Sequence, residues 1–259
     1  MTSSALSTVG RLFFAIPIFA FGIQYLHYGH YLGGLPPVPP WAQGGSIGAY
    51  VIGAILLAAG ISMAANWNAR ASSFFIGIIF LLCVLFFHTL HLHEIIFDGT
   101  SRTRVLEVMS LGAAALVLAA LSPSVSFFSR GTNAAIEKFS RFAVLLFAFT
   151  LVIYGLQHFQ FAKFIAFLIP AWMPLRLFLA YFTGVALIAA GLSMAIKVLG
   201  KLSSLMLALM FFLWVVTLHA PRVATKLTNG DEWSSLFVAL AMCGASLLIS
   251  RTFFTRTVL

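Results

Sequence analysis

Histidine is the residue type that could carry chemistry in this chain. There are seven: His27, His30, His88, His91, His93, His158 and His219. Four of them follow a basic residue at nearly constant distance: 16 residues from Arg11 to His27, 18 from Arg70 to His88, 17 from Arg141 to His158, and 18 from Lys201 to His219. On helices rising about 1.5 Å per residue, these spacings put the four imidazoles at one level, about 24–27 Å from the basic anchors. A neutral imidazole can bond a quinone oxygen and relay its proton. His158, His219 and Arg222, with His30 and His88, are therefore the candidate site for a small ligand or a quinone head group. Gln24, Tyr25, His91, His93, Glu94, Gln157, Lys163, Asp231 and Glu232 fall around the same level. The competing reading is structural, with histidines that end helices at an interface and bond carbonyls, Tyr25 or Tyr154.

Other chemistries are less well served. His27/His30 and His88/His91 are spaced i, i+3, which on a helix puts both rings on one face and would suit a metal. The pattern is short and common, and no metal site is predicted from it. A haem between His158 and His219 would need a large shaped pocket that no motif announces. Glu107 lies three residues from Arg104, an ordinary helix-end ion pair, and its alternative role is proton transfer within the membrane. Arg222 follows Pro221, where a helix should stop. It can clamp Glu232 or Asp231, or catch an anionic ligand.

The elements that position these groups follow from composition. Of 259 residues, 61% are hydrophobic and only 8% are charged. A soluble domain carries about 25% charged residues. Apolar runs of roughly 20 residues match a ~30 Å hydrocarbon core as helices, and they lack the alternation of a membrane barrel. The expected fold is an all-α membrane protein with spans near 10–33, 46–65, 71–92, 104–122, 140–168, 177–199, 202–220 and 233–250. The first run is longer than a signal-peptide core and is expected to be retained. The net charge of +9 is spread singly between apolar runs, a loop pattern that excludes a nucleic-acid partner and leaves the lipid bilayer. Cys83 and Cys243 each sit mid-run and read as small buried residues rather than a redox pair.

The eight spans form two tandem copies. At an offset of 131 residues, Ala49-Tyr50 meets Ala180-Tyr181, Ser62-Met63 meets Ser193-Met194, Ser72-Ser73 meets Ser203-Ser204, and His88 meets His219. At 133, Phe21-Gly22-Ile23-Gln24 meets Tyr154-Gly155-Leu156-Gln157. Expected are a first four-helix repeat over 1–122, a polar linker over 123–139 and a second repeat over 140–259. Four spans per copy make the repeats parallel. The side holding both termini carries Arg11, Arg70, Arg130, Lys138, Arg141, Lys197, Lys201, Arg251 and Arg256. The other side carries Arg102, Arg104, Lys163, Arg176, Arg222 and Lys226, so the Lys/Arg bias places both termini in the cytoplasm. Pro-rich connectors run from Leu35 to Trp41 and from Ile169 to Pro174, with Trp41 and Trp172 suited to the interfacial belt. Ala58-Ala59-Gly60, Gly112-Ala113-Ala114-Ala115, Ala189-Ala190-Gly191 and Gly244-Ala245 are packing surfaces.

Phe21-Gly-Ile-Gln24, Tyr28-Gly-His30, Gly33-Gly-Leu-Pro-Pro-Val-Pro-Pro-Trp41 and Arg102-Thr103 resemble the DoxX family of bacterial membrane proteins, here in duplicated form. In the second copy the resemblance rests on Tyr154-Gly-Leu-Gln-His158, Pro170-Ala-Trp172, Leu218-His-Ala-Pro-Arg222 and Glu232-Trp233-Ser234. It covers nearly the whole chain, with His158 where the first copy has Tyr25, and Lys163 where similar sequences suggest an acidic residue. The resemblance implies a bacterial inner-membrane protein associated with redox or respiratory subunits. The alternatives are a small-solute transporter or channel, and a non-catalytic scaffold.

Overall fold

The computed structural model describes residues 3–31, 34–38, 45–124 and 126–253; Pro39, Pro40, Trp41 and Arg256, which figure in the expectations above, lie outside the described residues. All regular structure among them is helical. The elements are α1 (Ser3–Tyr28), α2 (Gly45–Ala64), α3 (Ala69–Cys83), α4 (Leu92–Phe97), α5 (Gly99–Leu121), α6 (Arg130–Gln160), α7 (Ala162–Leu168), α8 (Arg176–Ile196), α9 (Gly200–Trp214), α10 (Ala220–Thr225) and α11 (Gly230–Thr252). Eight segments are long and apolar enough to cross a bilayer: α1, α2, α3 with its extension to His91, α5, α6, α8, α9 with its extension through α10, and α11. The chain is a polytopic membrane protein.

Each spanning helix packs on the next. The order α1–α2–α3–α5–α6–α8–α9–α11 closes back on α1, and α5 also touches α11 across the middle. The two central helices are 72% and 67% buried over their apolar windows, against 22–50% for the others. Small residues permit this, since helix association in lipid relies on close van der Waals approach. Gly112 and Ala113–Ala115 of α5, with Gly244 and Ala245 of α11, are all buried. The lipid-facing surface instead carries large apolar side chains such as Phe86, Phe149, Phe182 and Leu209.

Equivalent contacts recur at the offset seen in the sequence. Gly22 of α1 meets α2 so closely that a Cβ there would stand 2.5 Å from Leu57 N, and a Cβ on Gly155 of α6 would stand 2.6 Å from Gly184 O of α8. The α2–α3 turn is latched by Ser62 Oγ donating to Ser72 Oγ at 3.0 Å, and the α8–α9 turn by Ser193 donating to Ser203 at 3.0 Å.

Several boundaries depart from the hydropathy reading. The expected 140–168 span breaks at Phe161 between α6 and α7, and the α9 segment runs through Pro221 to Thr225 instead of stopping there. α6 begins at Arg130, so the second half of the expected linker is helix. Ser129 Oγ caps it, accepting from Thr132 N–H at 3.1 Å. Arg70 then holds the overhanging first turns, donating to Asn133 Oδ1 at 2.9 Å and pairing with Glu137 at 3.6 Å. Tertiary bonds therefore keep a polar stretch helical where no apolar run marks it.

Candidate functional site

The candidate site lies at the end of the bundle where α1, α3, α6 and α9 finish and α5 and α11 begin. α3 and α9 each finish in a π turn, Val84–His88 and Val215–His219, each closing on a histidine. Thr89 N–H bonds Val84 O and Ala220 N–H bonds Val215 O, five residues back rather than four. The wider turn re-aims the histidine relative to an α-helix, a distortion common at functional sites.

In the first half this position is filled by the chain itself. Residues 34–38 fold into the mouth of the bundle, with Leu35 and Val38 buried. Tyr25 Oη donates to Leu35 O at 3.1 Å and accepts from Val38 N–H at 3.3 Å. His88 Nε2 donates to Pro37 O at 3.3 Å, since a carbonyl can only accept. Tyr31 packs edge-on against Tyr25, and burial, with Cys83 adding to it, pushes its phenol up. Among the described residues, 34–38 fill this position, with Gly34 N–H held by Asp231.

The second half has the same frame and different contents. His158 stands at the place of Tyr25, its Cβ packed against Gly184 as that of Tyr25 packs against Gly53. The His158 ring stacks on Trp214 with centroids 6.2 Å apart. Its Nδ1 donates to Tyr154 O at 2.8 Å, which leaves Nε2 as the acceptor in the neutral ring. His219 follows Trp214 by five residues on the same helix, and its Nδ1 is buried without a hydrogen-bond partner among the described residues. The connector equivalent to residues 34–38 stays outside: Trp172 and Leu175 are 70% and 73% exposed. Its one backbone turn runs from Met173 N–H to Pro170 O.

Around this level the polar groups pair. Arg222 and Glu232 form a two-pronged ion pair at 2.9 and 3.0 Å, joined by Lys226 at 3.2 Å. The pair with Glu232 expected of Arg222 is present. Arg104 pairs with Glu107 at 2.9 Å, and Asp231 Oδ1 accepts from Gly34 N–H at 3.1 Å. Asp98 caps α5 through Ser101 N–H at 2.6 Å. That bond, with a further one to the Ser101 hydroxyl, holds its carboxyl below the usual range. Asn229 caps α11 in the same way through Asp231 N–H.

The histidines do not all converge. His27 and His30 are exposed, and Gly29 in the left-handed region ends α1 before His30, so the expected shared helix face is absent. The π turn and a following 3₁₀ turn likewise separate His88 from His91, which bonds Glu94 at 3.3 Å on the surface. No cluster of three potential metal ligands occurs among the described residues. His158 of α6 meets Trp214 of α9, and His219 lies in the π turn that follows α9, three residues before Arg222, which pairs with Glu232. It engages His88 and Glu107 with partners in the first half, and His30 with Tyr28 O at 2.7 Å.

The sequence places Tyr25 at the level of the histidines and opposite His158, but carries no sign of Trp214 as a ring partner or of either π turn. Tyr25 and His158 already aligned at the 133-residue offset, which was the available signal. Set against protein families, characterised proteins and solved structures, the chain matches none.

Proposed function

We propose that this protein is a DoxX-like membrane subunit of a bacterial redox or respiratory system, built by duplication. Its second repeat binds a quinone-type head group between α6, α8 and α9. The observation supporting this is the asymmetry of two equivalent positions. Tyr25 and His88 hold the chain's own loop, whereas His158 and His219 hold no loop residue among the described residues. His158 Nε2, an acceptor in the neutral ring, takes the hydroxyl hydrogen of a quinol. His219 donates to the second ligand oxygen, and the Trp214 indole stacks on the ring. Arg222, held by Glu232, sets a positive charge beside His219 without being the ligand's counter-ion. The exposed Trp172 connector is the covering strap. Both termini face the cytoplasm, and the site faces the outer leaflet.

The close Ala- and Gly-rich packing of α5 and α11 in the middle of the bundle favours the binding reading over a channel. The test is photolabelling of the purified protein with an azido-quinone. Label should map to α6 and α9 of the second half, compete with unlabelled quinone, and disappear in His158→Ala and His219→Ala. Equal, non-competed labelling of both halves, unchanged in these variants, would overturn the proposal.

A further inference from the structure

At the opposite end of the bundle the two halves differ a second time. In the first half, Arg11 of α1 reaches the last carbonyls of α2, donating to Met63 O at 2.7 Å and also to Ala64 O. Arg70 reaches the end of α5, donating to Ser122 O at 3.0 Å and Ala120 O at 3.3 Å. The helix ends there are closed by the protein's own guanidinium groups.

The second half has Val144 at the place of Arg11 and Lys201 at the place of Arg70. A cleft of about 390 Å³ lies there, with Val144, Leu145, Met194 and Phe253 among its apolar walls. Three cations border it from three separate places in the fold: Arg141 on α6, Lys197 at the end of α8, and Lys201 in the first turn of α9. Among the described residues, no carboxylate lines it. The first-turn N–H groups of α9 add the positive end of a helix dipole. An apolar wall below a cationic rim, at the end of a spanning bundle, has the layout of a phospholipid site: phosphate among the cations, acyl chains along the helices.

We propose that this cleft binds one anionic phospholipid through its phosphate, and that the first half lacks such a site because Arg11 occupies its place. The chemistry recognised is a phosphate group, which a lipid or free phosphate could supply. The committed source is the lipid, because the apolar wall has no use for an inorganic ion.

The experiment is native mass spectrometry of the detergent-purified full chain titrated with phosphatidylglycerol, phosphatidylcholine or inorganic phosphate. One phosphatidylglycerol should bind selectively, and phosphatidylcholine and phosphate should not displace it. Lys197→Gln and Lys201→Gln should each weaken binding about fivefold, the worth of one basic residue near anionic lipid. Val144→Arg should abolish it by restoring the first half's arrangement. These lysines are exposed, so their variants remain folded and readable if Val144→Arg does not fold. Lys163→Gln, at the histidine end, should change nothing. Equal retention of both lipids, or affinity unchanged in the lysine variants, would refute the site. Displacement by inorganic phosphate would refute the lipid as its occupant.

Discussion

Gln24 of α1 donates its side-chain amide to Ser234 Oγ of α11 at 3.1 Å, joining residues 210 positions apart. Gln157 of α6 makes the corresponding bond to Thr103 Oγ1 of α5, also at 3.1 Å. Each glutamine bonds a glycine carbonyl in the same helix start as well, Gly230 at 3.0 Å and Gly99 at 3.1 Å. The fourth helix of each half is thus fastened to the first helix of the other.

These bonds should show pairwise coupling. Interhelical hydrogen bonds in membrane proteins are worth about 0.6 kcal/mol on average, up to about 1.7. A double-mutant cycle of Gln24→Leu with Ser234→Ala, read by unfolding in detergent, should give coupling in that range. Gln24→Leu with Thr103→Ala, which share no bond, should add within about 0.3–0.5 kcal/mol.

Helix contact distance makes a sharper prediction. Gly22→Ala puts a methyl 2.5 Å from backbone, where no side chain can move aside, whereas Gly131→Ala meets nothing closer than 3.8 Å. Gly22→Ala should cost about 1–3 kcal/mol or more by overpacking. Gly131→Ala should be neutral or stabilise by up to about 1 kcal/mol, as a helix gains from losing a glycine. Thermal midpoints of the two variants separate the cases.

The three-membered ion cluster should respond unequally. The Glu232 side chain is only 7% exposed, while Arg222 is 36% and Lys226 58% exposed. Arg222→Met removes a hydrogen bond and the closest ion-pair contact from a buried carboxylate and should cost up to about 3 kcal/mol. Lys226→Met removes a solvent-screened contact and should cost less than about 1 kcal/mol. Unfolding midpoints that rank the other way would refute this reading.

Asp98 links stability to pH. Its folded carboxyl lies below its usual value through the Ser101 N–H bond, so its contribution is present above the unfolded value and fades as pH falls through the folded one. Asp98→Ala should lose a cap worth about 1 kcal/mol at neutral pH, whereas Asp98→Asn should keep the cap and remove this part of the acid dependence. Asn229 already performs that cap in the second half. Stability measured from pH 2 to 7 distinguishes the variants.

Much of this arrangement was legible in the residues, for reasons that are physical. A bilayer demands long apolar helices, so all eight spans stand out, and the Ser62–Ser72 and Ser193–Ser203 latches lie at the 131-residue offset read from the sequence. The start of α6 was hidden because Arg70, Asn133 and Glu137 hold it helical by contacts distant in sequence. The two Pro-rich connectors look alike in composition, yet residues 34–38 are held by Tyr25 and His88 while Trp172 and Leu175 stay exposed. The i, i+3 histidine pairs failed because a left-handed Gly29 and a π turn break the helical register on which that spacing depends.

Trp214, stacked on His158, reports on the proposed site directly. With Trp214 as the sole tryptophan, fluorescence quenching by a short-chain quinone in proteoliposomes should saturate, and His219→Leu should shift the midpoint upward about tenfold, as loss of a charge-free ligand bond worth about 1.4 kcal/mol would. A control with Trp67 alone, at the other end of the bundle, should quench linearly with quinone in the lipid. Linear quenching of Trp214, identical with and without His219, would contradict a second-half site.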